Sequence, residues 1–139
     1  VRPALFASPA YANQHGLPVH PGELSAHAGL LQSREAAEIK LHSRSRTAKG
    51  LLRSRLIIGP SDALLAPTLD GLGIAVLPEF QAAPLVASGK LVRVLEGWQM
   101  SALKVQLVYP MQRHQSPTVR ALMAFLAEQI PKRLKTLSI

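Results

Sequence analysis

The residues with the clearest potential for binding chemistry lie at the start of a predicted helix, at Ser61 and Asp62. Serine and aspartate favour helix starts because their side-chain oxygens accept hydrogen bonds from free backbone N–H groups. The same N–H groups and the positive end of the helix favour an anion such as a carboxylate. The charge of Asp62 would compete with an anionic ligand for these amides. The sequence therefore predicts two roles here, ligand binding and capping of the helix, and the two can coexist.

Other patterns give little support to an enzyme. Ser101 and Lys104 have the Ser-x-x-Lys spacing of a serine nucleophile, but that motif requires a helix start, and a strand is predicted from Val105. Gly71 and Gly73 follow a helix and precede a strand, the reverse of the dinucleotide-binding order, so they predict tight packing. The histidines lack metal-ligand spacing and the chain has no cysteine. We therefore predict no catalytic residues, no metal site and no cofactor.

The elements around the predicted helix start are typical of an α/β domain. Leu64, Leu65 and Leu69 form an apolar helical face. Pro67 predicts a kink or a shortened helix, because its ring removes a backbone hydrogen bond. The unbroken apolar run at residues 74–77 predicts a strand that is covered on both faces of a parallel sheet.

Further predicted strands and helices alternate along the chain, which supports an α/β fold. Strands are predicted at residues 3–7, 29–32, 39–43, 52–58, 91–95 and 105–109. A short helix is expected from Pro9, with Ser8 as its cap and Gly16 at its end. A helical turn is expected from Pro21, and another at residues 79–87, broken by Pro84.

The final helix has the strongest signal in the chain. Ser116 is placed to cap it, Pro117 suits the first position, and Pro131 is predicted to end it. Five apolar residues form a stripe along it: Val119, Leu122, Met123, Leu126 and Ile130. Such a stripe favours association when it is not covered.

The charge of the chain is uneven. The net charge is +8, and residues 40–55 hold six lysines and arginines and no acid. Basic side chains occur at every second position in part of this segment, at Lys40, His42, Arg44 and Arg46. They would line one face of a single strand. This segment predicts either a surface for anions or nucleic acid, or an edge strand whose charges discourage aggregation. It lacks the interleaved aromatic residues that single-strand binders use for stacking.

Short sequence motifs, taken in order along nearly the whole chain, resemble the effector-binding domain of LysR-type transcriptional regulators. They are residues 7–11 (Ala-Ser-Pro-Ala-Tyr), 15–16 with Pro18, 21–24 (Pro-Gly-Glu-Leu), 61–64 (Ser-Asp-Ala-Leu), 70–78 (Asp-Gly-Leu-Gly-Ile-Ala-Val-Leu-Pro), 89–92 (Gly-Lys-Leu-Val), Trp98, 108–110 (Val-Tyr-Pro) and 116–120 (Ser-Pro-Thr-Val-Arg) with 125–126. The resemblance implies an α/β fold of the type-2 periplasmic-binding-protein kind, with two lobes joined by two crossover strands.

The resemblance also assigns parts of the chain. Residues 1–7 would be the outgoing crossover strand, residues 8–103 the effector-binding second lobe, and residues 104–139 the return crossover and the closing part of the first lobe. The DNA-binding helix-turn-helix and the opening half of the first lobe would precede Val1. By the same resemblance, six residues would face the ligand: Ala7, Ser8, Gly59, Pro60, Ser61 and Asp62.

The function implied is non-enzymatic sensing of a small-molecule effector in the cytoplasm, with an anion among the candidate effectors. We further expect a homo-oligomer and contact with promoter DNA through the separate N-terminal domain. No membrane contact is expected, because no apolar run approaches the roughly 20 residues of a membrane span. Two alternatives remain: a solute-binding protein of the same fold, and a basic nucleic-acid-binding domain carried by residues 40–55.

Overall fold

The computed structural model describes residues 1–109 and 116–137. Within these residues the chain forms seven strands and four α-helices, joined by loops and three short 3₁₀ helices. The strands are β1 (Pro3–Ala7), β2 (Ala28–Leu31), β3 (Glu38–Ser43), β4 (Arg46–Leu51), β5 (Arg53–Ile57), β6 (Ile74–Pro78) and β7 (Val92–Val94). The helices are α1 (Pro9–His15), α2 (Leu65–Leu69), α3 (Glu79–Ala87) and α4 (Pro117–Leu137).

Five strands form one mixed sheet in the order β5-β2-β6-β1-β7. Strands β5, β2 and β6 run parallel, and β1 lies antiparallel between β6 and β7. The central strand β6 holds Ile74, Ala75 and Leu77, each 0% exposed. The prediction of a strand covered on both faces is therefore confirmed.

The hydrophobic core has two parts, one on each face of this sheet. Alternate residues of a strand point to opposite faces, so Leu5 and Phe6 of β1 belong to different parts of the core. One part includes Leu5, Tyr11, Leu24, Leu31, Ile39, Leu41 and Ile74. The other includes Phe6, Leu30, Leu64, Ala75, Leu77, Ala82 and Leu91.

Strands β3 and β4 form a separate antiparallel hairpin. Strand β4 was not predicted, because its sequence is polar and its pairing is set by the neighbouring strand. Arg44 lies in the turn with φ +50°, so the four basic residues expected on one strand face are divided between two strands and a turn. Ile39 and Leu41 on the inner side of the hairpin are buried.

The helix start at Ser61 differs from the prediction. Residues Ser61–Leu64 form a 3₁₀ helix, and Pro60 occupies the capping position without a side-chain cap. The expected capping of this helix by Ser61 or Asp62 is therefore wrong. Pro67 lies in the first turn of α2, where a backbone N–H has no partner within the helix, so the proline sacrifices no helical hydrogen bond. Helix α2 is short, with five residues, but the predicted reason is wrong, because Pro67 removes no hydrogen bond from it.

Helix α1 forms as predicted. The backbone N–H of Tyr11 donates to Ser8 Oγ at 3.1 Å, and Gly16 ends the helix with φ +71°. A side chain at Gly16 would be strained by this positive φ.

Two helices continue through prolines that were predicted to stop them. Helix α3 runs past Pro84 because Ala82 and Leu85 hold it against the core. Helix α4 runs past Pro131 to Leu137. There the Lys132 Nζ–Glu128 Oε1 ion pair, at 2.6 Å, spans the proline and supports the helix on both sides of it.

The strand predicted at residues 105–109 does not form. No neighbouring strand is available to it within the described residues, and Val108 is 91% exposed. The predicted end of this strand at Pro110 lies outside the described residues. The same is true of residues 111–115 and 138–139, which belong to the segment 104–139 that was assigned to the return crossover and the first lobe. In the part of the chain that the structure describes, no helix is both long and apolar enough to cross a membrane.

Candidate functional site

A cavity of about 430 Å³ opens at the carboxyl ends of β2 and β6. Its walls include Leu30 and Leu31 from the end of β2 and Val76 from β6. In open α/β sheets, ligands bind in the crevice beyond the carboxyl ends of the strands, and the volume is in the range of small-molecule sites. This cavity is therefore the candidate binding site.

Two chain segments that line the cavity pair through their backbones. The backbone nitrogen of Val1 donates to the carbonyl of Leu103 at 2.9 Å, and the nitrogen of Leu103 donates to the carbonyl of Val1 at 2.7 Å. Both residues line the cavity. The two paired segments therefore form one boundary of the site.

Most of the cavity wall is apolar. Twelve residues supply this surface: Val1, Pro3, Leu30, Leu31, Ala36, Ile39, Leu64, Val76, Leu77, Pro78, Met100 and Leu103. Five residues supply polar groups: Gln32, Glu38, Lys40, Ser61 and Ser101. An apolar wall with a few polar groups is the usual composition of a small-molecule site.

The charged residues of the wall come from one face of β3. Glu38 forms an ion pair with Lys49 of β4, with 3.3 Å between Oε1 and Nζ. Lys40 lies directly opposite Lys49 in the hairpin, and its side chain forms no ion pair or hydrogen bond within residues 1–109 and 116–137. The wall therefore contains an exposed, ion-paired carboxylate and an exposed lysine without an ion-pair partner in the described part of the chain.

The hydroxyl of Ser61 is also available. Ser61 is half-buried, lines the cavity, and forms no side-chain hydrogen bond within the described part of the chain. Gly59, Pro60 and Asp62 flank it and are exposed, but they do not line the cavity. The 3₁₀ helix has four residues, so its dipole is small and adds little to anion binding.

Ala7 and Ser8 lie at the other end of the sheet. Strand β1 is antiparallel to β6, which places Pro3 beside Pro78 at the cavity and Phe6 beside Ala75 farther from it. Ala7 is 0% exposed and Ser8 is 2% exposed. The structure does not bring these two residues together with Ser61, and their predicted contact with a ligand stays a prediction.

Sequence reasoning missed Lys40 as a residue of the site. The alternation of basic residues in this segment was recognised from the sequence. The sequence did not reveal that β3 pairs with β4, or that the hairpin lies over the carboxyl end of β2. The apolar members of the wall, such as Met100, come from distant parts of the chain and carry no local signal.

A second polar cluster lies inside the core beneath α1. Tyr11 is 2% exposed and its hydroxyl accepts a hydrogen bond from the backbone N–H of Ala28 at 3.2 Å. The same hydroxyl forms a second hydrogen bond with His27 Nδ1, 2.9 Å away, and the tautomer of His27 decides which of the two groups donates. Burial, reinforced by His15 and Arg53, lowers the pKa of His27, and Glu23 opposes this change. The neutral form of His27 is thus favoured.

The LysR substrate binding domain family matches residues 1–131 of the chain. The chain belongs to this family. The match confirms the predicted family resemblance and the predicted α/β fold of the periplasmic-binding-protein-like kind.

Curated relatives of this LysR substrate binding domain are transcriptional regulators. An uncharacterized HTH-type transcriptional regulator of Haemophilus influenzae is 33% identical over 78% of the chain, and a putative transcriptional regulator of Pseudomonas aeruginosa is 34% identical over 84%. These matches cover 38% and 40% of the two relatives. The chain therefore spans about two fifths of the length of these proteins.

The fold of this chain is similar to that of solved regulatory domains of transcriptional regulators. The regulatory domain of AphB from Vibrio vulnificus matches 72% of the chain and 52% of its own length, with a TM-score of 0.65 and 28% identity. The regulatory domain of CrgA, a LysR-type transcriptional regulator from Neisseria meningitidis, matches 72% of the chain and 50% of its own length, with a TM-score of 0.61 and 25% identity.

Proposed function

We propose that this chain is the effector-sensing domain of a LysR-type transcriptional regulator and that it binds a small molecule in the cavity described above. The observation that carries the proposal is the position of the cavity at the carboxyl ends of β2 and β6, in a member of the LysR substrate binding domain family. The unbonded hydroxyl of Ser61 and the unpaired ammonium of Lys40 are polar groups that orient such a ligand.

The domain assignment forms part of the proposal. Residues 1–7 are the outgoing crossover, residues 8–103 the second lobe, and residues 104–139 the return crossover and closing part of the first lobe. The reciprocal hydrogen bonds between Val1 and Leu103 support it, because they hold the outgoing segment beside the end of the second lobe, where the return crossover begins. A ligand at this junction contacts both segments.

Signalling requires that the ligand bind one arrangement of the protein better than another. The whole regulator is a cytoplasmic homo-oligomer without enzymatic activity, and it contacts promoter DNA through a separate N-terminal domain. The relatives that are named as HTH-type transcriptional regulators support this assignment over a solute-binding protein. The Ser-x-x-Lys pattern adds no enzymatic function, since residues 101–104 are not helical.

A cavity-filling variant tests the proposal. Val76 is half-buried and lines the cavity, so Val76→Trp fills part of it. Val19 is 83% exposed and outside the cavity wall, which makes Val19→Trp the matched control. The wild type and both variants are screened by thermal shift against a panel of small organic acids, amino acids, sugars and amines.

We expect at least one compound to raise the melting temperature of the wild type and the control. The same compound should have no effect on Val76→Trp, provided that this variant still melts cooperatively. A panel without any stabilising compound would contradict the proposal, as would stabilisation that persists in Val76→Trp.

The basic segment gives less support to nucleic-acid binding. Arg44 and Arg46 lie at the hairpin end, whereas Arg53 and Arg55 lie on the edge strand β5 and donate to the backbone carbonyls of Ala26 and Leu72. This arrangement divides the charge between two surfaces. In a gel-shift assay at low salt, where nonspecific phosphate contacts are strongest, we expect this chain to leave the mobility of DNA unchanged. Salt-dependent DNA binding by the chain would favour the alternative.

A further inference from the structure

We propose that the effector is a largely apolar monoanion, a compact monocarboxylate with a hydrocarbon body, whose charge is met by Lys40. This inference rests on the proposed function and names the chemical class of its ligand. Its basis is the combination of an apolar cavity wall with one exposed lysine, Lys40, among the lining residues that has no ion-pair partner in the described part of the chain.

The apolar wall selects the body of the ligand. Leu30, Val76 and Met100 come from three separate parts of the chain and offer no hydrogen-bonding side chain to the cavity. The hydroxyls of a sugar would lose water there without gaining partners, and each unpaired polar group costs free energy. A hydrocarbon body gains from the same burial.

The charge on the wall selects the head group. The carboxylate of Glu38 is held by Lys49, so it neither pairs with Lys40 nor repels an anion with its full charge. Lys40 and Lys49 are direct cross-strand neighbours. Like charges in this position repel each other, so an anion beside Lys40 relieves an unfavourable contact as well as forming an ion pair.

A single lysine among the described lining residues favours a ligand with one negative charge. Among the described residues that line the cavity, Lys40 is the single lysine or arginine. A dicarboxylate would leave its second charge in contact with apolar surface, whereas a monocarboxylate leaves none. The free hydroxyls of Ser61 and Ser101 can donate to a carboxylate oxygen. Asp62 is exposed and outside the wall, so its carboxylate does not face the bound anion.

Three probes of similar size test the head group. They are 4-methylpentanoate, its neutral amide 4-methylpentanamide, and the dianion glutarate. Binding is followed by methyl chemical shifts of Leu30, Val76 and Met100 in a carbon-13 labelled sample of this chain. The variants are Lys40→Gln and, as a control with the same change in net charge outside the cavity wall, Arg46→Gln.

We expect 4-methylpentanoate to shift these methyl signals at lower concentration than the amide or glutarate. Lys40→Gln should weaken its binding by about twofold to fivefold, the effect of losing an ion pair with an exposed lysine. Arg46→Gln should bind as the wild type does.

Two results would overturn the inference. One is equal binding of the acid and the amide with no effect of Lys40→Gln. The other is a failure of 4-methylpentanoate to shift the methyl signals. In either case, if another compound from the wider panel binds the wild type and not Val76→Trp, the sensing function stands and the monoanion assignment alone is wrong.

Discussion

At the scale of single residues, Ser61 has a different role from the one that helix-capping rules suggest. Serine before an apolar helical run usually caps that helix. Here Pro60 takes the capping position, and the Ser61 hydroxyl remains free beside the cavity. The side chain therefore contributes little to the free energy of unfolding and is available to a ligand.

Replacing Ser61 separates these two roles. We expect Ser61→Ala to change the free energy of unfolding by less than about 0.5 kcal/mol, as for a side chain without a structural partner. In the intact regulator the response to its effector should weaken. Urea unfolding and a promoter-reporter assay measure the two quantities. A loss of stability with an unchanged response would show that Ser61 is structural after all.

His27 makes stability depend on pH. Its pKa in the folded chain is lowered mainly by burial, so the unfolded chain binds more protons as the pH falls below about 6.5. The stabilisation is fully present above the unfolded pKa and is lost as the pH falls toward the folded pKa. We expect the free energy of unfolding to decrease between pH 7.5 and pH 5.5.

The variant His27→Gln should flatten this slope. The wild type, measured in parallel, supplies the reference slope. Urea unfolding at several pH values measures both. A slope that is unchanged in His27→Gln would assign the pH dependence to other groups.

At the scale of elements, the hairpin of β3 and β4 is held against the 3₁₀ helix Pro21–Ala26 by a close backbone approach. A Cβ at Gly50 would overlap the side chain of Leu24 and the carbonyl oxygen of Pro21. Only a glycine allows this packing. The hairpin carries Glu38 and Lys40, so this contact also positions part of the cavity wall.

The variant Gly50→Ala tests this contact. We expect it to lower the free energy of unfolding by about 1 to 3 kcal/mol, the usual cost of overpacking a well-packed core. Gly97→Ala is the control, because a Cβ there meets nothing within 4 Å. Urea unfolding compares the two. Equal stabilities would mean that the 3₁₀ helix moves aside without cost.

At the scale of the whole molecule, two groups of apolar residues remain exposed in the described part of the chain. They are Leu103, Val105, Leu107, Val108 and Tyr109 in one segment, and Val119, Leu122 and Phe125 on helix α4. An exposed apolar area of this kind favours association. It involves the two parts of the chain, residues 103–109 and helix α4, that are proposed to belong mainly to the first lobe.

We expect the chain to self-associate as its concentration rises. Light scattering measures this, and its intensity should increase faster than linearly with protein concentration. Leu122 is 55% exposed, and Leu122→Glu should shift association to higher concentration. Ala127→Glu adds the same charge at another exposed position of α4 and should have a smaller effect. A monomer at all concentrations would contradict this expectation.

The sequence by itself determined the features that depend on neighbouring residues. The cap of Ser8 on α1 and the glycine that ends this helix follow from local spacing, because a helix pairs residues three or four apart. The buried strand β6 follows from its unbroken run of adjacent apolar residues. The order of short motifs identified the family for the same reason, since each motif is a run of adjacent residues.

Only the tertiary structure decided which residues share the candidate site. It brought Lys40 and Met100 to the same cavity as Ser61, and it placed Ser8 at the opposite end of the sheet. It also paired β4 with β3 and exposed the apolar residues 103–109. These outcomes depend on contacts between residues far apart in the chain, where strand direction and pairing set the distance and no local pattern of residue types records it.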